Sequence, residues 1–89
     1  MKGRTLQITY DNGRPLVAYL GFPHPIGVRS ASTREAGDGL VVDFDADGMP
    51  LGLEIVNPEI VTGEQINAVL ETLGIPMLSP KELRLFPAA

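Results

Sequence analysis

Between residues 40 and 56 the chain reads L-V-V-D-F-D-A-D-G-M-P-L-G-L-E-I-V, with apolar and polar positions alternating on either side of Asp47-Gly48. A period of two is the mark of a half-buried strand. Asp-Gly is a favoured pair for a two-residue type I′ turn, because both positions need a positive φ. The spacing predicts a hairpin in which Ala46 faces Met49, Phe44 faces Leu51, Val42 faces Leu53 and Leu40 faces Ile55. These apolar residues share one face. The other face carries Asp45 opposite Pro50, Asp43 opposite Gly52 and Val41 opposite Glu54. A one-residue slip would set Leu40 against Glu54 and mix the faces, so the two-residue register is preferred. A four-residue loop would keep the same parity.

A second alternation precedes this one. Leu6, Ile8 and Tyr10 interleave with Gln7 and Thr9, and Asn12-Gly13 supplies another type I′ signal. Pairing outward from that turn sets Ile8 against Val17 and Leu6 against Tyr19, giving strands over residues 6–10 and 16–20. Pro15, with no amide to donate, suits the start of a strand at its unpaired side. Residues 21–27, G-F-P-H-P-I-G, form a loop stiffened by two prolines. Residues 32–36 leave room for a further strand before the Gly37-Asp38-Gly39 turn, with its pairing left open by the pattern.

The period changes after Asn57-Pro58, which ends the last strand. Thr62 and Gln65 have the spacing of a capping box, and Val61 and Ile66 that of a hydrophobic staple. Ile66, Val69, Leu70 and Leu73 make one apolar stripe at helical spacing. Gly74 and Pro76 close a helix of about residues 63–73. Ser79-Pro80-Lys81-Glu82 repeats the start signal, so one or two further turns are expected before Pro87. Leu78, Leu83, Leu85 and Phe86 are too apolar to be left in water, and wrap the core or form an interface. Residues 1–4 read as a loose start.

The expected fold is α+β: an antiparallel β-meander of four or five strands, with one C-terminal helix packed across one face. All 89 residues fit one domain, with the β-meander over about residues 5–56 and the helix and apolar tail over 57–89. A chain of this length buries only a modest core, so marginal stability or help from self-association is expected. The net charge of −4 disfavours general nucleic-acid binding and is compatible with a basic protein partner. With no cysteine, there is neither a disulfide framework nor thiolate chemistry, and a reducing cytoplasm fits, as does any compartment that does not demand disulfides. No apolar run approaches membrane-spanning length, and the chain reads as lacking a basic-then-apolar leader.

One stretch carries a competing chemistry. Asp43, Asp45, Asp47, Gly48 and Glu54 match the spacing of a calcium loop, in which carboxylates and one carbonyl wrap a hard cation. Such a loop joins two helices, whereas these flanks are short and alternating, and Pro50 stands at a loop position that normally donates an amide. The hairpin is therefore preferred, and Asp43, Asp45 and Glu54 then stand on an exposed face. His24 is the single histidine, between two prolines and without a second histidine or cysteine nearby, so a metal role has little support. No nucleophile–base pair, phosphate-cradling loop or metal-ligand cluster is visible. No catalytic or cofactor-binding residue is expected.

The central hairpin resembles the signature of a family of short prokaryotic proteins called domain of unknown function 2283. Its members typically read V-I-V-D-Y-D-x-x-G-x-x-V-G-I-E-I, and Asp43, Phe44, Asp45, Gly48, Gly52, Glu54 and Ile55 stand at the patterned positions. Thr33-Arg34-Glu35 is similar to the polar stretch that precedes the signature. Tyr10-Asp11 and Ala18-Tyr19-Leu20 resemble the family's opening, while Asn12-Gly13-Arg14-Pro15 departs from its usual turn. The resemblance spans roughly residues 5–56 and leaves out the helix and tail. It implies a small β-rich domain without an established activity. Some relatives are encoded beside small toxin-like proteins, which implies an antitoxin-type binding role.

The expected function is thus a non-enzymatic, cytoplasmic interaction module that binds a protein partner or itself, a homodimer being the expected assembly, with no nucleic acid or membrane involved. The alternative is a calcium or small-ligand domain built on Asp43, Asp45, Asp47 and Glu54.

Overall fold

The computed structural model describes residues 3–86 of the chain. The expected stop at Pro87 and the first two residues of the loose start lie outside them. Five strands and two helices follow in order: β1 (Thr5–Asp11), β2 (Arg14–Gly21), β3 (Ser32–Gly37), β4 (Leu40–Phe44), β5 (Pro50–Ile55), α1 (Gly63–Thr72) and α2 (Pro80–Leu83). The strands form one antiparallel sheet in the order β1-β2-β5-β4-β3. The α+β class, the five-stranded sheet and the helix over one face are as the pattern predicts. The meander is interrupted once, where the link after β2 carries the chain to the far edge and β5 returns beside β2.

One face of the sheet holds the core. Ala18 and Leu20 from β2, Leu40 and Val42 from β4, and Leu53 and Ile55 from β5 pack with Ile66, Val69 and Leu70 of α1. Leu78 and Phe86 of the C-terminal segment are buried in the same cluster, and Leu83 packs against it, while Leu85 stays half exposed. So the apolar tail wraps the core.

The helix ends are built as their spacing predicts. The Thr62 hydroxyl accepts from the Gln65 amide at 3.1 Å, and the Gln65 side chain accepts from the Thr62 amide at 2.8 Å. Two of the amides that a helix N-terminus leaves without partners are thereby satisfied. At the other end Gly74 adopts φ 71°. Its amide donates to Glu71 and the Ile75 amide to Leu70, a Schellman closure. Ser79 and Glu82 form the second capping box. Residue 4 is not loose. The Arg4 guanidinium donates to Glu82 at 2.8 Å and to the carbonyls of Pro76 and Met77, so the start of β1 is tied to the C-terminal segment.

Two registers differ from expectation, both beside a proline. In the first hairpin Asn12 and Gly13 take φ 52° and 78°, as a type I′ turn requires, and Asp11 pairs with Arg14. Tyr10 then pairs with Pro15 but Thr9 with Val17, so Leu16 is an extra residue on β2. Ile8 meets Ala18 and Leu6 meets Leu20, not Val17 and Tyr19. The bulge turns β2 over: Ala18 and Leu20 enter the core, and Tyr19 moves to the opposite face. Burial favours this, because Leu20 has no polar atom, whereas an inward Tyr19 would need a partner for its hydroxyl.

In the second hairpin Leu40–Ile55, Val41–Glu54, Val42–Leu53 and Asp43–Gly52 pair as expected. Nearer the turn, Phe44 pairs with Pro50, which leaves Leu51 as the extra residue. The Asp45 amide donates to Met49 at 2.9 Å and the Gly48 amide to Asp45 at 3.1 Å. Only Gly48 has a positive φ, 82°, so the loop is Ala46-Asp47-Gly48 rather than a type I′ Asp47-Gly48 turn. The cause is local: the Asp45 carboxylate accepts from the amides of Asp47 and Met49, at 2.8 and 2.9 Å, and holds the wider loop.

Candidate functional site on the open sheet face

Among the described residues, no helix covers the face of the sheet turned away from α1. Its side chains fall in rows set by the registers. One row crosses Gln7, Tyr19, Glu54, Val41 and Glu35, and the next crosses Thr5, Gly21, Gly52, Asp43 and Thr33. On the strand positions of these two rows the charged residues are Glu35, Asp43 and Glu54. Three arginines on or beside the strands are engaged elsewhere. Arg34 lies over the Phe44 ring, 4.9 Å from its centroid, Arg14 pairs with Glu59 at 3.1 Å, and Arg4 pairs with Glu82.

Tyr19 and Gly52 organise this surface. The absent side chain of Gly52 leaves a trough across β5, and the Tyr19 ring lies in it. A Cβ on Gly52 would overlap the ring. The Tyr19 hydroxyl thereby reaches across β5 and donates to Asp43 Oδ2 at 2.9 Å. Burial pushes the Tyr19 phenol up to about 12, helped by its hydrogen bond to Asp43 and by the negative charges of Asp43 and Glu54. At neutral pH the phenol is a fixed donor, and the patch keeps its acidic character.

The candidate residues are dispersed over this surface. Asp43 is engaged with Tyr19. Asp45 turns its carboxylate into its own loop. Asp47 is exposed in that loop, and Glu54 is exposed on β5. Strands flank the loop where a calcium loop of this spacing has helices. Among the described residues, no group of three or more His, Asp or Glu side chains is arranged to hold a metal ion. His24 is exposed in the loop after β2, its Nδ1 3.0 Å from the Pro25 carbonyl, and lies on the rim of a groove with Tyr19 and Ile26. The pairing of Leu6 with Tyr19 expected from the pattern points Tyr19 inward, and so hides the outward role that the structure gives it. The signal that points to it is Gly52, a glycine in a strand interior, which marks close approach by another group.

Fold and face together define a class: a small α+β domain with one covered and one open, acidic sheet face. No family model matches the chain, and no curated protein or solved structure matches it either. Among the described residues no helix is long and apolar enough to cross a membrane.

Proposed function

We propose that the protein is a non-enzymatic interaction module whose open sheet face docks a protein partner with a basic surface. The observation that supports this reading is the half-buried Tyr19 set among Glu35, Asp43 and Glu54, with no Lys or Arg in the two rows. An acidic face steers a basic partner and rejects acidic ones. A rigid tyrosine held by its neighbours offers large contact area with little entropy left to lose. The antitoxin-type role implied by the family resemblance calls on the same chemistry where the neighbouring gene encodes a small basic protein.

The test is co-purification with the product of the neighbouring gene, for the wild type and for Glu35→Lys/Glu54→Lys. Both glutamates are exposed, so the variant keeps its fold by circular dichroism. Salt-sensitive binding by the wild type, lost in the variant, is the expected result. Binding unaffected by the charge reversal, no retained partner, or calorimetric heat from calcium at millimolar concentration would overturn the reading.

A further inference from the structure

The two edges of the sheet are guarded differently. β3 is short, carries Arg34 and Glu35 side by side, and has a register shift between Glu35 and Gly37. These are devices by which natural proteins blunt an edge. β1, the other edge, has seven residues, T-L-Q-I-T-Y-D, with no charge before Asp11 and no proline. The extra residue of its hairpin belongs to β2, so β1 is not bulged. Among the described residues, no backbone hydrogen bond joins β1 to any element but β2.

We propose that β1 pairs with β1 of a second copy, antiparallel, to give a continuous ten-stranded sheet. Residues opposite each other in an antiparallel pair share a face, so a two-fold axis normal to the sheet must fall on a residue. For β1 that residue is Ile8, the midpoint of the strand. All seven residues then pair. Ile8 meets Ile8 of the copy, Leu6 meets Tyr10, and Gln7 meets Thr9. On the core side every contact is apolar to apolar, covering Tyr10, which is 58 % exposed, and the half-buried Leu6 and Ile8. The same operation on β3 places the axis on Arg34 or Glu35 and sets like charges against each other. Self-pairing therefore selects β1. The covered faces of both copies lie on one side, and the acidic faces continue into each other on the other. This step rests on reading the chain as an interaction module but not on the acidic face, so a monomer would remove the pairing and leave the open-face reading to its own test.

The experiment is sedimentation of the full chain, compared with Gln7→Lys/Thr9→Lys and with Thr33→Lys as the β3-edge control. Gln7, Thr9 and Thr33 are all exposed, and circular dichroism checks that each variant folds. The expected result is twice the chain mass for the wild type and Thr33→Lys, and one chain mass for the double lysine variant. Amide exchange on the wild type reads the same interface without mutation. Protection in β1 should rise with protein concentration while that in β3 does not. A wild type that stays monomeric to millimolar concentration, a double lysine variant that stays dimeric, or concentration-dependent protection in β3 would each overturn the proposal.

Discussion

Both hairpins return through a Pro-Leu pair, and in both the leucine is the extra residue. Leu16 follows Pro15 in β2, and Leu51 follows Pro50 in β5. The outcomes are opposite. Leu16 is 56 % exposed, while Leu51 is buried. In the first hairpin a two-residue turn precedes the bulge, so the extra residue reverses the parity of everything beyond it and carries Tyr19 out of the core. In the second, a three-residue loop and one extra residue together restore the parity, and the pairs from Asp43–Gly52 onward keep the faces that a plain two-residue turn would give. The face a strand presents is set by the sum of loop and bulge, and neither alone decides it.

The largest contrast should appear when each bulged leucine is truncated. Leu51→Ala opens a cavity in the core and should cost about 2–5 kcal/mol. Leu16→Ala removes a surface side chain and should stay within about 0.5 kcal/mol. Urea unfolding of the two variants measures both, and equal midpoints would mean that the bulges are equivalent after all. Gly52→Ala comes next. Its methyl group meets the Tyr19 ring, which must leave its trough and its bond to Asp43, at a cost of about 1–3 kcal/mol. The same substitution combined with Tyr19→Ala should recover part of the methyl's cost, because the obstruction is then gone.

Tyr19→Phe has a smaller effect, about 1 kcal/mol, since it deletes one hydrogen bond and leaves the ring in place. It also changes the alkaline response. The Tyr19 phenol is held at about 12, above its ordinary 10.0, so the folded state favours the protonated form. Its contribution is complete below pH 10 and is lost as the pH rises from 10 to 12. Stability measured across that range should fall less steeply in Tyr19→Phe than in the wild type. Smallest is the ion pair outside both hairpins. The hydrogen bond from Arg4, joined by the Ser79 amide, outweighs burial and lowers the Glu82 carboxyl from 4.5 to about 2. Its stabilisation is complete above pH 4.5 and lost as the pH falls towards 2, so Glu82→Gln should flatten the acid limb of the stability curve. The pair is partly open to solvent, which keeps the effect small.

The same contrasts separate what neighbouring residues dictate from what distant partners dictate. Features fixed by neighbours in the chain were legible. Thr62 with Gln65, Ser79 with Glu82 and Gly74 each declare a helix end within a few positions. The inward set Leu40, Val42, Leu53 and Ile55 follows from alternation alone. What depends on distant partners was not legible. The Leu16 bulge is decided by a competition to bury Leu20 rather than Tyr19, which exists only once β5 lies beside β2. The Arg4 anchor joins residues 78 apart in sequence. Of the acidic face, Asp43 and Glu54 were evident from the pattern, but the tyrosine between them was not, because its side of the sheet hangs on that bulge.

The division of the two faces at Tyr19 is therefore the claim on which the docking surface stands, and nuclear Overhauser contacts of the Tyr19 ring test it directly. The structure predicts contacts to Gly52 Hα, with that proton's chemical shift displaced by the ring current, and none to the methyl groups of Ile66 and Leu70. A Tyr19 ring in contact with Ile66 or Leu70, and an unshifted Gly52, would contradict it.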